Sequence, residues 1–336
     1  MHTGTVYTVS MIRAVLLLLL FVSAALPAAA QGLPGAEPLS VTLVPQYPRP
    51  YQNITVAPRS TLVDLSSSKV EILVNGTVIY TGSGTQPATA QAGALGERTT
   101  ILVRVTDPGG RVYSVQKVVR PAEVSLILEP VSTVHPFYAG GGLVASEGRV
   151  RLVAVPDLRT DAGTRLSASS LVYTWRVADR ILTDSSGIGR STLVANAPVR
   201  HRNADITVTV TSPDSSLVGE AKTTIAAVDP FVRLYRNDPL LGPDFDTALT
   251  GRFTMPDTEA TFRAVAYFFA APPTLSWVVN GSAGGGDKDV TVRATGNGSG
   301  TAQLQLSASD KAHYQFADTR LSVGFGQGGG LGIFGL

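Results

Sequence analysis

Residues 277–281 read Trp-Val-Val-Asn-Gly, and the same pattern stands at residues 72–76 (Ile-Leu-Val-Asn-Gly) and 175–179 (Trp-Arg-Val-Ala-Asp). The first residues of successive copies are 103 and 102 positions apart. In each copy the apolar end of a predicted strand is followed by a predicted turn. Asn-Gly, present in two of the copies, is the strongest short hairpin signal, because both central residues of such a turn need positive φ. A repeat of about a hundred residues is the length of one small β-sandwich. The sequence therefore predicts three similar β-domains in a row.

Strand periodicity around each copy supports this prediction. Apolar and polar residues alternate around Ile101, Val103 and Val105 and again along residues 207–211, as in strands with one buried face. The predicted fold is all-β, with three tandem immunoglobulin-like β-sandwich domains after an N-terminal signal peptide. The predicted domains are 40–120, 121–228 and 229–325. The joints at 120–123 and 228–230 each contain one proline, which favours semi-rigid connections.

Seven residues anchor the predicted repeat. A large apolar residue expected inside the sandwich stands three positions before each turn pair. The distance from this residue to a later inward-facing strand position is similar in the three copies: 72 to 103, 175 to 208, and 277 to 304. The anchors are Ile72, Trp175, Trp277, Asn75, Gly76, Asn280 and Gly281.

The N-terminus has the features of a secretory signal peptide. Arg13 precedes an apolar run over residues 14–22, and small residues follow up to Ala30, which is the order of a cleavable signal. We expect residues 1–30 to be removed after Ala30, and residues 31–39 to form a flexible Gly/Pro-rich leader. The alternative is an uncleaved membrane anchor, although the apolar run is short for a span and Pro27 interrupts it. The expected location is extracytoplasmic: secreted, periplasmic or on the cell surface.

Composition narrows the class of protein. Of 336 residues, 15% are charged and 44% are hydrophobic, so the chain is too apolar to be disordered. The formal net charge is +2 and no run of Lys or Arg occurs, so nucleic acid is not an expected partner. The absence of cysteine excludes disulfides, thiol nucleophiles and cysteine-based metal sites, and favours bacterial export over eukaryotic secretion.

The inner-strand tryptophans, the Thr-Val strand and the repeat length resemble the immunoglobulin-like and PKD-like domains of exported bacterial surface proteins. The resemblance covers most of residues 40–325, and Ile72 departs from it because it stands where the other copies have Trp. Segments 136–138, 184–189 and 266–269 are similar to segments of uncharacterised exported bacterial proteins with the same three-domain plan. That resemblance implies a fold and a location, and no activity.

No catalytic, cofactor or metal site is predicted. His135, His201 and His313 lack the spacing of a zinc site, and we interpret them as solvated loop residues. The match to G-x-G-x-x-G at residues 324–329 has no following helix and βαβ unit, so it is rejected as a dinucleotide site. Calcium binding is the less favoured alternative. Three pairs of Asp residues could supply oxygen ligands, but none of the pairs has EF-hand spacing. The pairs are Asp157 with Asp161, Asp244 with Asp246, and Asp287 with Asp289.

The C-terminal segment 326–336 is rich in glycine and ends in Ile-Phe-Gly-Leu. An apolar tail of this kind is suited to adding a strand to a partner's sheet edge or to resting on a membrane. The alternative is a frayed terminus. The residues proposed to bind a partner through this tail are Phe325, Leu331, Ile333, Phe334 and Leu336.

These patterns favour a non-enzymatic exported protein that serves as a structural, adhesive or assembly component of the cell envelope or surface. Its expected partners are other envelope or surface proteins, with membrane association through the signal anchor or the tail as a further alternative. The second hypothesis is a carbohydrate-binding surface protein, since exposed aromatic rings bind sugars. Its candidate residues are Tyr47, Tyr51, Phe137, Tyr138, Tyr267, Phe268 and Phe269. A hydrolase is the third and least favoured hypothesis.

Overall fold

The computed structural model describes residues 39–295 and 298–326. Those residues form β-strands joined by turns, with no α-helix among them and three short 3₁₀ segments at Ala168–Ser170, Thr183–Ser185 and Lys311–His313. None of these segments has the length and apolar character needed to cross a bilayer. The all-β fold predicted from the strand periodicity is confirmed.

The first sandwich has a three-stranded and a four-stranded sheet. Its strands are β1 (Ser40–Val44), β2 (Asn53–Arg59), β3 (Lys69–Val74), β4 (Thr77–Ser83), β5 (Ala88–Gln91), β6 (Thr99–Thr106) and β7 (Val112–Val119). The orders of the two sheets are β1-β2-β5 and β4-β3-β6-β7. The inward positions of β3 and β6 are fully buried, at Val70 and Ile72 and at Ile101, Val103 and Val105.

The second sandwich also consists of two sheets. Its strands are β8 (Glu123–Val131), β9 (Arg149–Asp157), β10 (Val172–Val177), β11 (Arg180–Ile181), β12 (Gly187–Ile188), β13 (Thr192–Asn196), β14 (Asn203–Thr211) and β15 (Val218–Ala226). One sheet has the order β13-β9-β8 and the other β11-β10-β14-β15, with β12 beside β10. The core contains Tyr173 and Trp175 from one sheet and Leu152 from the other, all fully buried.

The third sandwich has nine strands among the described residues, the most of the three. Its strands are β16 (Phe231–Asp238), β17 (Gly242–Pro243), β18 (Gly251–Thr254), β19 (Glu259–Tyr267), β20 (Thr274–Val279), β21 (Ser282–Gly285), β22 (Asp289–Arg293), β23 (Gly300–Asp310) and β24 (Gln315–Phe325). The sheet β17-β16-β19-β22 faces the sheet β18-β24-β23-β20-β21. Among these strands, β18 runs parallel to its neighbour β24. The core is built around Phe262, Phe269 and Trp277.

The three predicted hairpins occupy equivalent strands. β3, β10 and β20 are each six residues long and end directly before the turn pair. Their central partners are β6, β14 and β23, and the register places Ile72 opposite Val103 and Trp175 opposite Val208. In the third sandwich the residue opposite Trp277 is Leu306. Leu304, the later inward-facing position in this copy, is buried and lies opposite Val279.

The chain divides into two compact units. One contains the described residues up to Leu43 together with Thr55–Ala90 and Thr100–Lys117. The other contains Val44–Ile54, Gln91–Thr99 and the described chain from Val118 onward. The second and third sandwiches therefore belong to one unit.

Candidate binding surface at the junction of the second and third sandwiches

The loop after β8 is joined to the chain after β19 by backbone hydrogen bonds. The Phe268 N–H donates to the Thr133 carbonyl at 2.7 Å, and the Thr133 N–H donates to the Phe269 carbonyl at 2.9 Å. The Phe269 N–H donates to Thr133 Oγ1 at 3.0 Å. This exchange resembles one rung of a β-ladder, and it joins two different sandwiches.

Aromatic rings fill the space around this exchange. We call this group the junction cluster; it consists of Val134, His135, Tyr138, Tyr235, Phe245, Val265, Tyr267 and Phe268. The His135 ring stacks on Phe245 with centroids 4.4 Å apart and planes 7° apart. Tyr138 meets the edges of Tyr267 and Phe268 at 5.6 and 6.0 Å. Rings from both sandwiches thus interlock in the arrangements that aromatic quadrupoles favour.

Two hydrogen bonds lie within or at the edge of the cluster. The hydroxyls of Tyr235 and Tyr267 are 2.7 Å apart. Burial, together with this hydrogen bond, raises the pKa of Tyr267 well above its usual value, so the hydroxyl stays neutral. His135 Nδ1 accepts the Phe137 N–H at 3.1 Å, and in the neutral ring the proton is therefore on Nε2.

Further polar contacts join the sandwiches away from the rings. The buried side chain of Gln315 donates to the Ser146 carbonyl at 2.8 Å, and its oxygen accepts the Ala270 N–H at 2.8 Å. Arg200 forms a bidentate ion pair with Asp229: its Nε donates to Oδ1 at 2.5 Å and its Nη2 donates to Oδ2 at 2.7 Å. A buried amide satisfied at both ends fixes a specific geometry because an unpaired one is costly.

A cleft of about 380 Å³ opens beside the junction cluster. Its walls include His135, Phe245 and Leu275. Arg263 also lines it and is held by Asp289 at 2.5 and 2.8 Å; this carboxylate raises the pKa of Arg263. Lys288 lines the cleft and takes part in no ion pair among the described residues. The lining of the cleft is therefore mostly apolar, and it includes one cationic residue that has no ion-pair partner among the described residues.

The hairpin between β16 and β17 comes shortly before the cleft residue Phe245 in the chain. Its tip exposes Leu240 and Leu241, whose accessible fractions are 94% and 90%. Asp238 Oδ1 accepts the backbone N–H of both leucines, at 2.9 and 3.1 Å. At the base of the hairpin, Asn237 donates to Asp289 at 3.1 Å. We call residues 238–242 the leucine finger.

The structure corrects the prediction that seven aromatic residues are exposed and available to bind sugars. Tyr267, Phe268 and Phe269 are buried, because they join the sandwiches and fill the third core. Tyr138 is half-buried in the junction cluster, and Tyr47 is also half-buried. Of the seven, Tyr51 and Phe137 have exposed rings.

The repeat anchors lie inside the sandwiches or at hairpin tips. Ile72, Trp175 and Trp277 are buried. The Trp175 indole donates to the Arg190 carbonyl at 2.9 Å and the Trp277 indole to the Asp287 carbonyl at 2.8 Å. Buried indole N–H groups need such partners. The turn pairs Asn75-Gly76 and Asn280-Gly281 have positive φ throughout.

The acidic pairs considered for calcium are largely engaged elsewhere. Asp157 is paired with Arg159 and Arg165, and Asp161 with Arg120 and Arg98. Asp289 is bound to Arg263, while Asp244 accepts the Asp246 N–H at 3.1 Å. The described residues contain no group of three or more His, Asp or Glu side chains arranged to hold a metal ion.

Two of the three histidines differ from the solvated loop residues that were expected. His135 is half-buried in the junction cluster, and His313 Nδ1 lies 2.7 Å from the Asp310 carboxylate. His201 is exposed.

The predicted partner-binding tail lies mostly outside the described residues. Phe325 is the last residue of β24 and packs against the third core. Leu331, Ile333, Phe334 and Leu336, like the signal peptide, fall outside the described ranges.

Sequence patterns identified neither the junction cluster nor the leucine finger as a site. The cluster draws on residues 134–138, 235–245 and 265–268, whose meeting depends on how two sandwiches pack. The finger did have a local signal, since residues 238–243 read Asp-Pro-Leu-Leu-Gly-Pro. Turn-forming residues on both sides of a Leu-Leu pair indicate leucines at a loop tip.

No protein-family profile matches the sequence, and no curated protein sequence does. Among solved structures, the fibronectin(III)-like modules of Clostridium thermocellum CbhA are 14% identical over 56% of this chain and 94% of theirs, with a TM-score of 0.25. Three N-terminal domains of the bacteriophage RB49 highly immunogenic outer capsid protein are 13% identical over 86% and 99%, with a TM-score of 0.24. SGBP-B of the Bacteroides ovatus mixed-linkage glucan utilization locus, solved with a heptasaccharide, is 11% identical over 85% and 70%, with a TM-score of 0.23. Similarity at this level does not assign a function to this chain.

Proposed function

We propose that this chain is a non-enzymatic, extracytoplasmic structural protein that acts through protein–protein contacts, as a spacer or assembly component of the cell envelope or surface. The observation that carries the proposal is the junction between the second and third sandwiches. There, buried rings, a satisfied glutamine and a backbone exchange fix two sandwiches to each other. A spacer or assembly component requires fixed geometry between its parts.

The use of polar groups at the junction supports the same proposal. A catalytic site needs a nucleophile, acid or base left available to a substrate. At the junction, the hydroxyls of Tyr235 and Tyr267 pair with each other, and Arg263 pairs with Asp289. These four groups are therefore engaged with one another.

The proposal includes the domain plan and the location expected from the sequence. It takes residues 1–30 as a signal peptide and 31–39 as a leader. The three sandwiches are assigned to 40–120, 121–228 and 229–325, with 326–336 as a partner-binding tail.

The test is a location and partner experiment on the full chain. An epitope inserted between residues 32 and 38 marks the mature N-terminus, cells are fractionated, and intact cells are treated with protease. The expected result is an extracytoplasmic product that crosslinks to envelope or surface proteins. A cytoplasmic product with an intact N-terminus would contradict the proposal.

Glycan binding is a second candidate, favoured by one observation. Phe137 is 78% exposed and its ring centroid lies 6.2 Å from that of Phe245 at the cleft, so an open aromatic face borders a concave surface. A glycan panel probed with the full chain and with Phe137→Ala tests it. Binding that the substitution abolishes would support this candidate, and no binding to any glycan would remove it.

A further inference from the structure

The leucine finger is the most exposed apolar feature of the described chain. Leu240 and Leu241 are adjacent, and each exposes nine-tenths or more of its surface. Single exposed hydrophobic residues are normal, but exposed apolar groups that cluster mark interaction sites. Phe137, also well exposed, lies near Phe245, with ring centroids 6.2 Å apart.

The finger is held in one conformation before any partner binds. Two backbone N–H groups at the tip are bound to Asp238 Oδ1, and Asp238 also pairs with Gly242 across the hairpin. Gly242 has φ +81°, a conformation that favours glycine. Because the loop is already ordered, binding through it requires little further loss of conformational freedom.

The cleft is complementary to the leucine finger in polarity and in charge. Most of its lining is apolar, its volume of about 380 Å³ is in the range of ligand pockets, and the lining includes Lys288, which forms no ion pair among the described residues. The segment 238–246, which contains the leucine finger, carries the opposite charge. Asp238, Asp244 and Asp246 lie within nine residues that contain no Lys or Arg, and none forms an ion pair among the described residues.

Finger and cleft are also neighbours in the same chain. Phe245 follows the finger closely and forms a cleft wall. Asn237, at the base of the finger, binds the same Asp289 that holds the cleft residue Arg263. Two complementary surfaces that lie side by side match the requirement of a two-fold interface, in which residue i meets residue j and j meets i.

We propose that the partner of this surface is a second copy of the chain, related by a two-fold axis, with the leucine finger of each copy in the cleft of the other. The proposal rests on the proposed function, and it names one partner for the assembly role. Leu240 and Leu241 enter the apolar part of the cleft. The acidic residues around the finger approach Lys288 of the partner copy.

The test is analytical ultracentrifugation of the mature full-length chain from about 1 μM to about 1 mM, a range that spans weak to moderate affinities. The expected result is a concentration-dependent monomer–dimer equilibrium. Leu240→Ser with Leu241→Ser should weaken dimerisation at least tenfold. Leu62→Ser is the matched control, because Leu62 is 69% exposed and lies outside the finger; it should leave the dimer unchanged.

Charge reversal tests the pairing directly. Lys288→Glu should weaken the dimer, and combining it with Asp244→Lys should restore part of the affinity. Thermal unfolding of each variant checks that the fold is retained.

Three outcomes overturn the proposal: a monomer at every concentration, a dimer that Leu240→Ser with Leu241→Ser leaves intact, or leucine-dependent flotation of a monomer with phosphatidylcholine vesicles. None of these contradicts the proposed function, which the location and crosslinking experiment tests separately.

Discussion

The hairpins of the second and third sandwiches have the same backbone and different residues. In the third, Asn280 and Gly281 have φ of 50° and 80°; in the second, Ala178 and Asp179 have φ of 47° and 64°. Asn-Gly adopts this turn readily, whereas alanine in the left-handed region is strained. The second turn therefore takes its shape from the strands around it.

Hydrogen bonds show how the second turn is imposed. The Ala178 N–H donates to the Asp205 carbonyl at 2.9 Å, as the Asn280 N–H donates to the Gln303 carbonyl at 2.9 Å. Asn280 Oδ1 accepts a further bond from the Gln303 N–H at 2.8 Å, which alanine cannot reproduce. The buried tryptophan and the strand register therefore determine this hairpin, and the turn residues only adjust its stability.

The largest expected effect on stability comes from removing the buried tryptophan that stands at the equivalent position in the second and the third sandwich. Trp175→Ala and Trp277→Ala each delete a fully buried ring and leave a loop carbonyl without its donor, so each should destabilise the protein by about 3–5 kcal/mol. Urea unfolding followed by circular dichroism measures this. Ile181→Ala, at a half-exposed site in β11, is the control and should cost far less. A tryptophan variant as stable as the natural chain would contradict the shared role of this anchor.

The next effect separates the two turns. Asn280→Ala removes the Oδ1 acceptor and places alanine at positive φ, so it should cost about 1–2 kcal/mol. Asn75→Ala should behave alike, because Asn75 Oδ1 accepts the Thr100 N–H at 2.8 Å. Denaturant midpoints measure both variants. Costs that differ by several-fold would show that the first and third hairpins are not equivalent.

A smaller effect of opposite sign is expected in the second turn. Ala178→Asn combined with Asp179→Gly installs residues suited to positive φ, and should stabilise the protein by about 0.5–1 kcal/mol. Differential scanning calorimetry should record a higher melting temperature. Destabilisation would mean that Ala178 or Asp179 serves the second sandwich in a way that its turn geometry does not reveal.

The smallest effect concerns the ion pair between Arg200 and Asp229. The Arg200 guanidinium holds the pKa of Asp229 below its ordinary value of 3.8, so the pair stabilises the fold above that pH and loses its effect as the pH falls through the lowered pKa. The pair is exposed, so Asp229→Asn should cost at most about 1 kcal/mol at neutral pH. Measured by chemical denaturation, the difference between the natural chain and the variant should shrink below pH 3.8. A difference that persists at lower pH would show that the carboxylate acts other than by its charge.

Sequence patterns were sufficient for the fold within each sandwich. Alternation identified the inward faces of β6 and β14, and Asn-Gly marked two of the three turns, because both signals are local. The junction was not predicted, because the local sequence around Tyr267 and Phe268 does not show whether these two side chains face solvent or another sandwich.

The central claim is that the second and third sandwiches form one fixed body. The chain has no cysteine, so spin labels are placed cleanly. Glu220→Cys with Lys311→Cys puts one label on each sandwich, and Val131→Cys with Glu220→Cys puts both on the second. Double electron–electron resonance on the full chain, diluted with unlabelled protein, measures the distance distributions. We predict one narrow distribution between the sandwiches, as narrow as that within one, and a broader one after Phe268→Ala. A broad or multiple distribution in the otherwise unaltered chain would contradict the claim.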